Sequence, residues 1–141
     1  MTRINSKIPP KKLCDSHLVA EYREILRVFK LAKRIDNAPK EFTLGRGHVL
    51  FFYDKLKYAH DRFESLRQEI LDRGFVPKME FDPTILERKQ SLYNDWEGTE
   101  EADELIRQRI MERAKSMKNI RHRGILISVD QYHKILYEDQ N

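Results

Sequence analysis

Three stretches of the 141-residue chain place apolar side chains at the spacing of an amphipathic helix. In residues 15–35 the apolar positions are Leu18, Tyr22, Ile25, Phe29 and Ala32. In residues 54–73 they are Leu56, Ala59, Phe63, Leu66 and Ile70. In residues 99–118 they are Ala102, Ile106, Ile110, Ala114 and Met117. Each set forms one stripe that can face a core, so the pattern predicts three main helices.

Residues at the ends of these stretches agree with the predicted boundaries. Asp15 or Ser16 can cap the first helix by accepting from its free backbone N–H groups. Gly74 follows the second helix, where a left-handed residue commonly ends a helix. Thr99 is the predicted cap of the third helix. These signals support helices at about 15–35, 54–73 and 99–118.

The C-terminal region has a less definite pattern than the three helical stretches. Residues 125–129 are expected to form either a short strand or a buried extended segment, and residues 132–137 a short helix. The chain length allows one continuous core. We therefore expect an all-α protein, with residues 1–141 forming a single compact domain of three main helices and irregular connecting loops.

Composition narrows the class of protein further. No apolar run approaches the roughly 20 residues of a membrane span, and the start carries no apolar signal-peptide core. The single cysteine, Cys14, is expected to be a small, partly buried filler without a disulfide. We expect an intracellular, cytoplasmic protein that makes no membrane contact.

Paired arginines are the main feature of the charge pattern. Lys and Arg number 27 against 23 Asp and Glu, so the excess of positive charge is modest. However, Arg23 and Arg27 are one helical turn apart and lie away from the apolar stripe, and Arg109 and Arg113 repeat that spacing. Any single pair is typical of a solvated face with ion pairs. Several such pairs, with Arg3 in addition, favour binding of a phosphate backbone.

The second residue is a candidate nucleophile. If Met1 is removed, Thr2 exposes an α-amine with an ordinary pKa of roughly 7.7–8.0, so a useful fraction is neutral near pH 7. A neutral amine can attack a sugar C1′ and give a Schiff base. Glu24 lies on the flank between the apolar stripe and the face of Arg23 and Arg27. A partly desolvated carboxylate there can exchange protons with the sugar.

Four further residues allow either a structural or a functional interpretation. His17 is expected to be a hydrogen-bonded structural histidine, and with Glu21 it makes at most half a metal site, so no metal is expected. Glu21 is expected to hold an arginine or a backbone amide. His48 either approaches a phosphate or pins its loop against the core. Trp96 either plugs the entry to the third helix or stacks on a base.

Four stretches resemble the pyrimidine dimer DNA glycosylases, the phage ultraviolet-repair endonucleases: MTRIN, DSHLVAEYREILRVF, LGRGHVLFFYDKL and RGF. The resemblance covers about residues 1–75. It implies a three-helix, all-α enzyme without metal or organic cofactor. That enzyme cleaves the N-glycosidic bond at a cyclobutane pyrimidine dimer and nicks the abasic strand by β-elimination. In this chain, the resemblance implies that Thr2 supplies the nucleophilic α-amine and Glu24 the essential carboxylate.

The same resemblance implies a DNA-binding surface. The DNA-binding candidates are Arg3, Arg23, Arg27, Arg109, Arg113, Ser16 and His17. Ser16 stands where a family member has a DNA-contacting glutamine, and the tail lacks that member's run of Trp and Tyr. The expected partner is duplex DNA with pyrimidine dimers or abasic sites, bound by a monomer. Two alternatives stay open: a non-catalytic or altered-specificity DNA-binding relative, and a helical interaction module.

Overall fold

A computed structural model describes residues 4–32, 38–45, 48–77 and 90–138, and this part of the chain is mostly helical. Its α-helices are α1 Asp15–Ala32, α2 His48–Phe51, α3 Leu56–Asp72, α4 Glu100–Ala114 and α5 Val129–Tyr137. Its strands are β1 Ile120–His122 and β2 Ile125–Ile127. Short 3-10 turns lie at Pro10–Lys12, Phe52–Asp54 and Gln90–Leu92. None of the helices described has the length and apolar character that a membrane span requires.

The three predicted helices are confirmed as α1, α3 and α4. Their apolar stripes are buried as far as Phe29, Ile70 and Ala114, and Ile25, Leu66 and Ile106 have no exposed surface. The prediction for α4 is wrong at its end, because that helix ends at Ala114 rather than 118. The N–H groups of Ser116 and Met117 bond three residues back, which tightens the last turn before the chain enters β1.

The predicted helix-end residues Gly74 and Thr99 are confirmed, whereas Asp15 is already the first residue of α1. The predicted end of the first helix at residue 35 lies outside the described residues. The Thr99 hydroxyl accepts from the Ala102 N–H at 3.0 Å, which caps α4. Gly74 has a φ of +83° after α3, and the Phe75 N–H donates to the Ile70 carbonyl at 3.0 Å. This is the Schellman arrangement, which only a residue tolerant of positive φ completes without strain.

A β-hairpin makes the expectation of an all-α, three-helix fold wrong in part. β1 and β2 pair antiparallel, with Ile120 opposite Ile127. The turn residues Arg123 and Gly124 have φ values of +53° and +81°, as a two-residue hairpin turn requires. Their N–H groups donate to the Asp15 carboxylate at 3.0 and 2.9 Å. Asp15 therefore fastens the hairpin to the start of α1.

Two short helices complete the described fold. α2 begins at His48, which the sequence predicts to lie in a loop. α5 begins at Val129, three residues before the predicted start, because Ser128 and Gln131 form a capping box. Its inner face buries Tyr132 and Leu136.

The core lies where α1 packs on α3 and where both meet an aromatic cluster. The aromatic cluster consists of Phe42, Phe51, Phe52, Tyr58 and Trp96. The ring of Trp96 stacks on Phe42, with 5.6 Å between centroids. Trp96 thus packs inward ahead of α4, as one of the two interpretations predicts. Cys14 is buried and free, as a filler residue would be.

Candidate functional site

The N-terminal segment, residues 4–8, is built into the core. Ile4, Ser6 and Ile8 have no exposed surface, and Asn5 is buried. Thr2 and Arg3, the predicted nucleophile and phosphate contact, lie outside the described residues. What the structure supplies is the surroundings of the chain immediately after them.

A buried ion pair between α1 and α3 binds the N-terminal segment at Asn5 and Ile8. Arg62 donates to the Glu21 carboxylate through Nε at 2.7 Å and Nη2 at 2.9 Å. Its Nη1 donates to the Ile8 carbonyl at 2.6 Å, and the Asn5 amide donates to Glu21 at 2.8 Å. Burial disfavours the charge on Arg62, but the Glu21 carboxylate, with Tyr58 and Asp103 adding to its effect, more than compensates and raises the pKa of the guanidinium. The prediction that Glu21 holds an arginine is confirmed.

Two further side chains hold the middle of the segment. The Tyr58 hydroxyl donates to the Ser6 carbonyl, and the Ser6 hydroxyl donates to Asp103 on α4. The Lys7 N–H also donates to Asp103, at 3.3 Å. Burial raises the pKa of Tyr58 above its ordinary value, so its hydroxyl stays a donor. The segment is therefore tied to α1, α3 and α4 together.

His48 makes the contact nearest the N-terminus within the part of the chain described. Its Nε2 accepts from the Ile4 N–H at 2.9 Å, and its Nδ1 lies 2.7 Å from the Thr43 carbonyl oxygen. The residue is buried, so the interpretation in which His48 pins its loop against the core is confirmed.

Glu24 lies one turn after Glu21 on α1 and is also buried, with 11% of its side chain exposed. Its contact with Arg27 is long, 3.5 Å from Nη1 to Oε1, and Arg27 itself is 63% exposed. The hydroxyl of Tyr53 lies in the field of both groups. Its pKa is raised first by burial, with Arg27 opposing and Glu24 adding to the rise. Among the described residues, Glu24 is thus far less occupied by hydrogen bonds than Glu21.

An exposed ridge of α1 carries the predicted phosphate contacts. We define the α1 ridge as Ser16, Arg23, Arg27 and Lys30, which follow one another along one side of the helix and are all exposed. At about 1.5 Å per residue, Ser16 and Arg27 are about 16 Å apart along the axis. That length spans several phosphates of a DNA strand.

His17 lies beside the ridge but turns toward the interior. Its Nδ1 is 2.8 Å from the Tyr132 hydroxyl, which in turn accepts from the Cys14 N–H. Burial, and after it the positive charge of Arg113, lower the pKa of His17 to about 4. A neutral His17 at pH 7 accepts from Tyr132, which matches the predicted structural histidine. The same coupling puts Arg113 near the start of α1.

The remaining predicted contact, Arg109, lies one turn before Arg113 on α4. Its Nη1 is 3.7 Å from Glu112, and its side chain is 29% exposed. An ion pair of that length at a surface stabilises little, so it can open toward a phosphate at small cost. In the part of the chain described, no group of three or more His, Cys, Asp or Glu side chains could hold a metal ion.

Sequence reasoning missed the partners that build the N-terminal anchors. Arg62, Tyr58 and Asp103 carry no motif. Arg62 does leave one signal, because it falls on the apolar stripe of α3, three residues after Ala59 and four before Leu66. A charge on a core face indicates a buried partner.

A known protein family matches the N-terminal part of the chain. A family model described as pyrimidine dimer DNA glycosylase matches residues 1–83. The match includes α1, α2 and α3, the N-terminal segment and the α1 ridge. It stops before α4, the hairpin and α5.

Proposed function

We infer that this chain, which belongs to the pyrimidine dimer DNA glycosylase family, also nicks the abasic strand through a Schiff base on its N-terminal α-amine. Membership itself implies a DNA glycosylase for pyrimidine dimers, with DNA as substrate. The lyase step, the residue roles, abasic sites as a further substrate and action as a monomer are our proposal.

The observation that carries the proposal is the anchoring of the N-terminal segment against α1. Asn5 contacts Glu21, so the segment passes α1 one turn before Glu24. Thr2 is three residues upstream of Asn5, and three residues reach at most about 10 Å. Glu24 lies about 4.5 Å further along the helix axis. The α-amine of Thr2 is therefore within reach of the Glu24 carboxylate.

The chemistry needs these two groups only. The neutral amine attacks C1′, the bond from C1′ to the base breaks with its electron pair going to the base, and the base takes up a proton while it stays joined to the other pyrimidine of the dimer. Opening of the sugar ring gives the Schiff base. Removal of a proton from C2′ then expels the 3′ phosphate with its electron pair. Glu24 can give a proton in the first stage and take one in the second.

Glu24 suits this role because it is buried and, among the residues that the structure describes, its carboxylate contacts only Arg27. Its long contact to Arg27 leaves acceptor capacity, whereas Glu21 is saturated by Arg62 and Asn5. Arg23 and Arg27 on the α1 ridge supply charge for the strand that carries the lesion. Arg3, Arg109 and Arg113 are further proposed phosphate contacts, and Ser16 and His17 proposed contacts at the start of the ridge.

Borohydride trapping on ultraviolet-irradiated duplex DNA tests the proposal. The mature protein should give a covalent protein–DNA species, and a protein with one extra residue before Thr2 should not. Glu24→Gln should bind DNA nearly as tightly as the wild type and cut about 100-fold more slowly or worse. Glu64→Gln, at an exposed carboxylate on α3, is the matched control and should cut normally. DNA binding without any trapping by the mature protein would instead identify a non-catalytic relative.

A further inference from the structure

His48 places a polar ring in the core, where burial costs free energy unless the ring nitrogens are hydrogen-bonded. Its imidazole stands edge-on to Phe42 and Phe52, with ring centroids 5.6 and 5.4 Å away. Only 3% of the residue is exposed. An apolar side chain would fill this space without any need for hydrogen bonds. The reason for a histidine therefore lies in what its two nitrogens contact.

Each ring nitrogen of His48 has only one possible role in its hydrogen bond, donor or acceptor. The Thr43 carbonyl oxygen can only accept, so Nδ1 at 2.7 Å must carry the ring proton. The Ile4 N–H can only donate, so Nε2 at 2.9 Å must be unprotonated. The two contacts together select one neutral tautomer.

The bonded N–H belongs to the peptide that joins residues 3 and 4. Three backbone dihedral angles separate that planar peptide from the α-amine of Thr2: ψ of Thr2, then φ and ψ of Arg3. The other anchors act further along the chain, at Asn5, Ser6 and Ile8. Of the contacts described, the hydrogen bond to His48 is separated from the reacting amine by the fewest rotatable backbone bonds.

We propose that His48 is a positioning residue that holds the N-terminal α-amine in line with C1′ of the sugar. The proposal rests on the proposed lyase function. His48 does not touch the substrate; it acts through the 3–4 peptide. A shift of about 1 Å in a reacting group can cost about 100-fold in rate, so loss of this one bond should slow Schiff-base formation far more than DNA binding.

The test compares His48→Leu, His48→Gln and His48→Asn on a duplex with a preformed abasic site. Leucine keeps the bulk without an acceptor, glutamine can bring an oxygen near the place of Nε2, and asparagine can serve Thr43 but is too short for Ile4. At saturating DNA, we expect trapping to slow about 10- to 100-fold for leucine and asparagine. Glutamine should restore most of the rate, and the Kd for DNA should stay within about twofold for all three.

Val49→Ala is the matched control for loss of packing, because Val49 is the next residue, partly buried against the same core. Folded Val49→Ala protein should be trapped on DNA at the wild-type rate. Amide hydrogen exchange at Ile4, measured on the free protein, should accelerate in the leucine and asparagine variants and not in Val49→Ala.

The outcomes separate the two proposals. Equal trapping rates for the asparagine and glutamine variants would overturn the role of His48, even if the leucine variant fails to fold. A slowing in Val49→Ala as large as in His48→Leu would overturn it as well. If the wild type itself gives no trapped species, the proposed lyase function fails, whatever the exchange at Ile4 shows.

Discussion

Replacing Arg62 by leucine is expected to lower the free energy of unfolding by about 4 kcal/mol. The side chains of Arg62 and Glu21 are 6% and 0% exposed, so the pair is removed from solvent. Loss of the guanidinium takes two hydrogen bonds from Glu21 and one from the Ile8 carbonyl. Of the partners described for that carboxylate, only the Asn5 amide then remains. An uncompensated buried charge of this kind costs about 3–5 kcal/mol.

Urea unfolding at pH 7, followed by far-ultraviolet circular dichroism, measures this loss. With a slope near 2 kcal/mol per molar urea, the midpoint should fall by about 2 M. Arg67→Leu is the matched control, because Arg67 lies on the same helix and is exposed; it should change stability by less than about 0.5 kcal/mol. The double variant Glu21→Leu, Arg62→Leu should recover most of the loss, because an apolar pair leaves no orphaned charge. A loss below about 1 kcal/mol in Arg62→Leu would refute the reasoning.

Two further predictions concern DNA binding and pH. Arg23→Ala and Arg27→Ala should each weaken duplex binding and reduce the slope of log K against log salt by about 0.9, measured by fluorescence anisotropy. An unchanged slope would show that the side chain meets no phosphate. For His17, the folded pKa of about 4 lies below the unfolded value. The unfolded chain therefore binds more protons between these values, and stability falls as pH drops from about 6.5 toward 4, by at most about 3 kcal/mol. Urea midpoints from pH 4.5 to 7.5 should depend less on pH in His17→Gln, and equal dependence would contradict this account.

The main helices could be predicted because their stripes run for several turns, whereas of the hairpin only β2 could be predicted, as one of two alternatives for residues 125–129. A three-residue strand is too short to show alternation. Ile125 and Leu126 are also 68% and 55% exposed, so apolar character in β2 does not mark a buried face. The turn forms at Arg123 and Gly124 because Asp15, more than 100 positions earlier, accepts both N–H groups. A local pattern contains no information about that partner.

The buried ion pair of Glu21 and Arg62 could be predicted from the sequence only in part. Glu21 lies three residues after Leu18 and four before Ile25, so it falls on the apolar face of α1. Arg62 falls on the face of α3 in the same way. Two opposite charges on two core faces indicate an ion pair. That the pair would also bind Asn5 and the Ile8 carbonyl depends on the path of the N-terminal segment, which only the packed structure gives.

Glu21 and Glu24 show most clearly what packing adds to sequence. They are the same residue type, one turn apart on one helix, and both are buried. Glu21 is neutralised by a bidentate guanidinium, whereas the contact described for Glu24 is a 3.5 Å approach from a largely exposed arginine. Burying a carboxylate with few hydrogen-bond partners costs free energy. A residue with only a structural role would give the protein nothing in return for that cost. Glu21, one turn earlier, contacts Asn5 of the anchored N-terminal segment, so the cost at Glu24 supports its proposed role in proton transfer at the α-amine and the sugar.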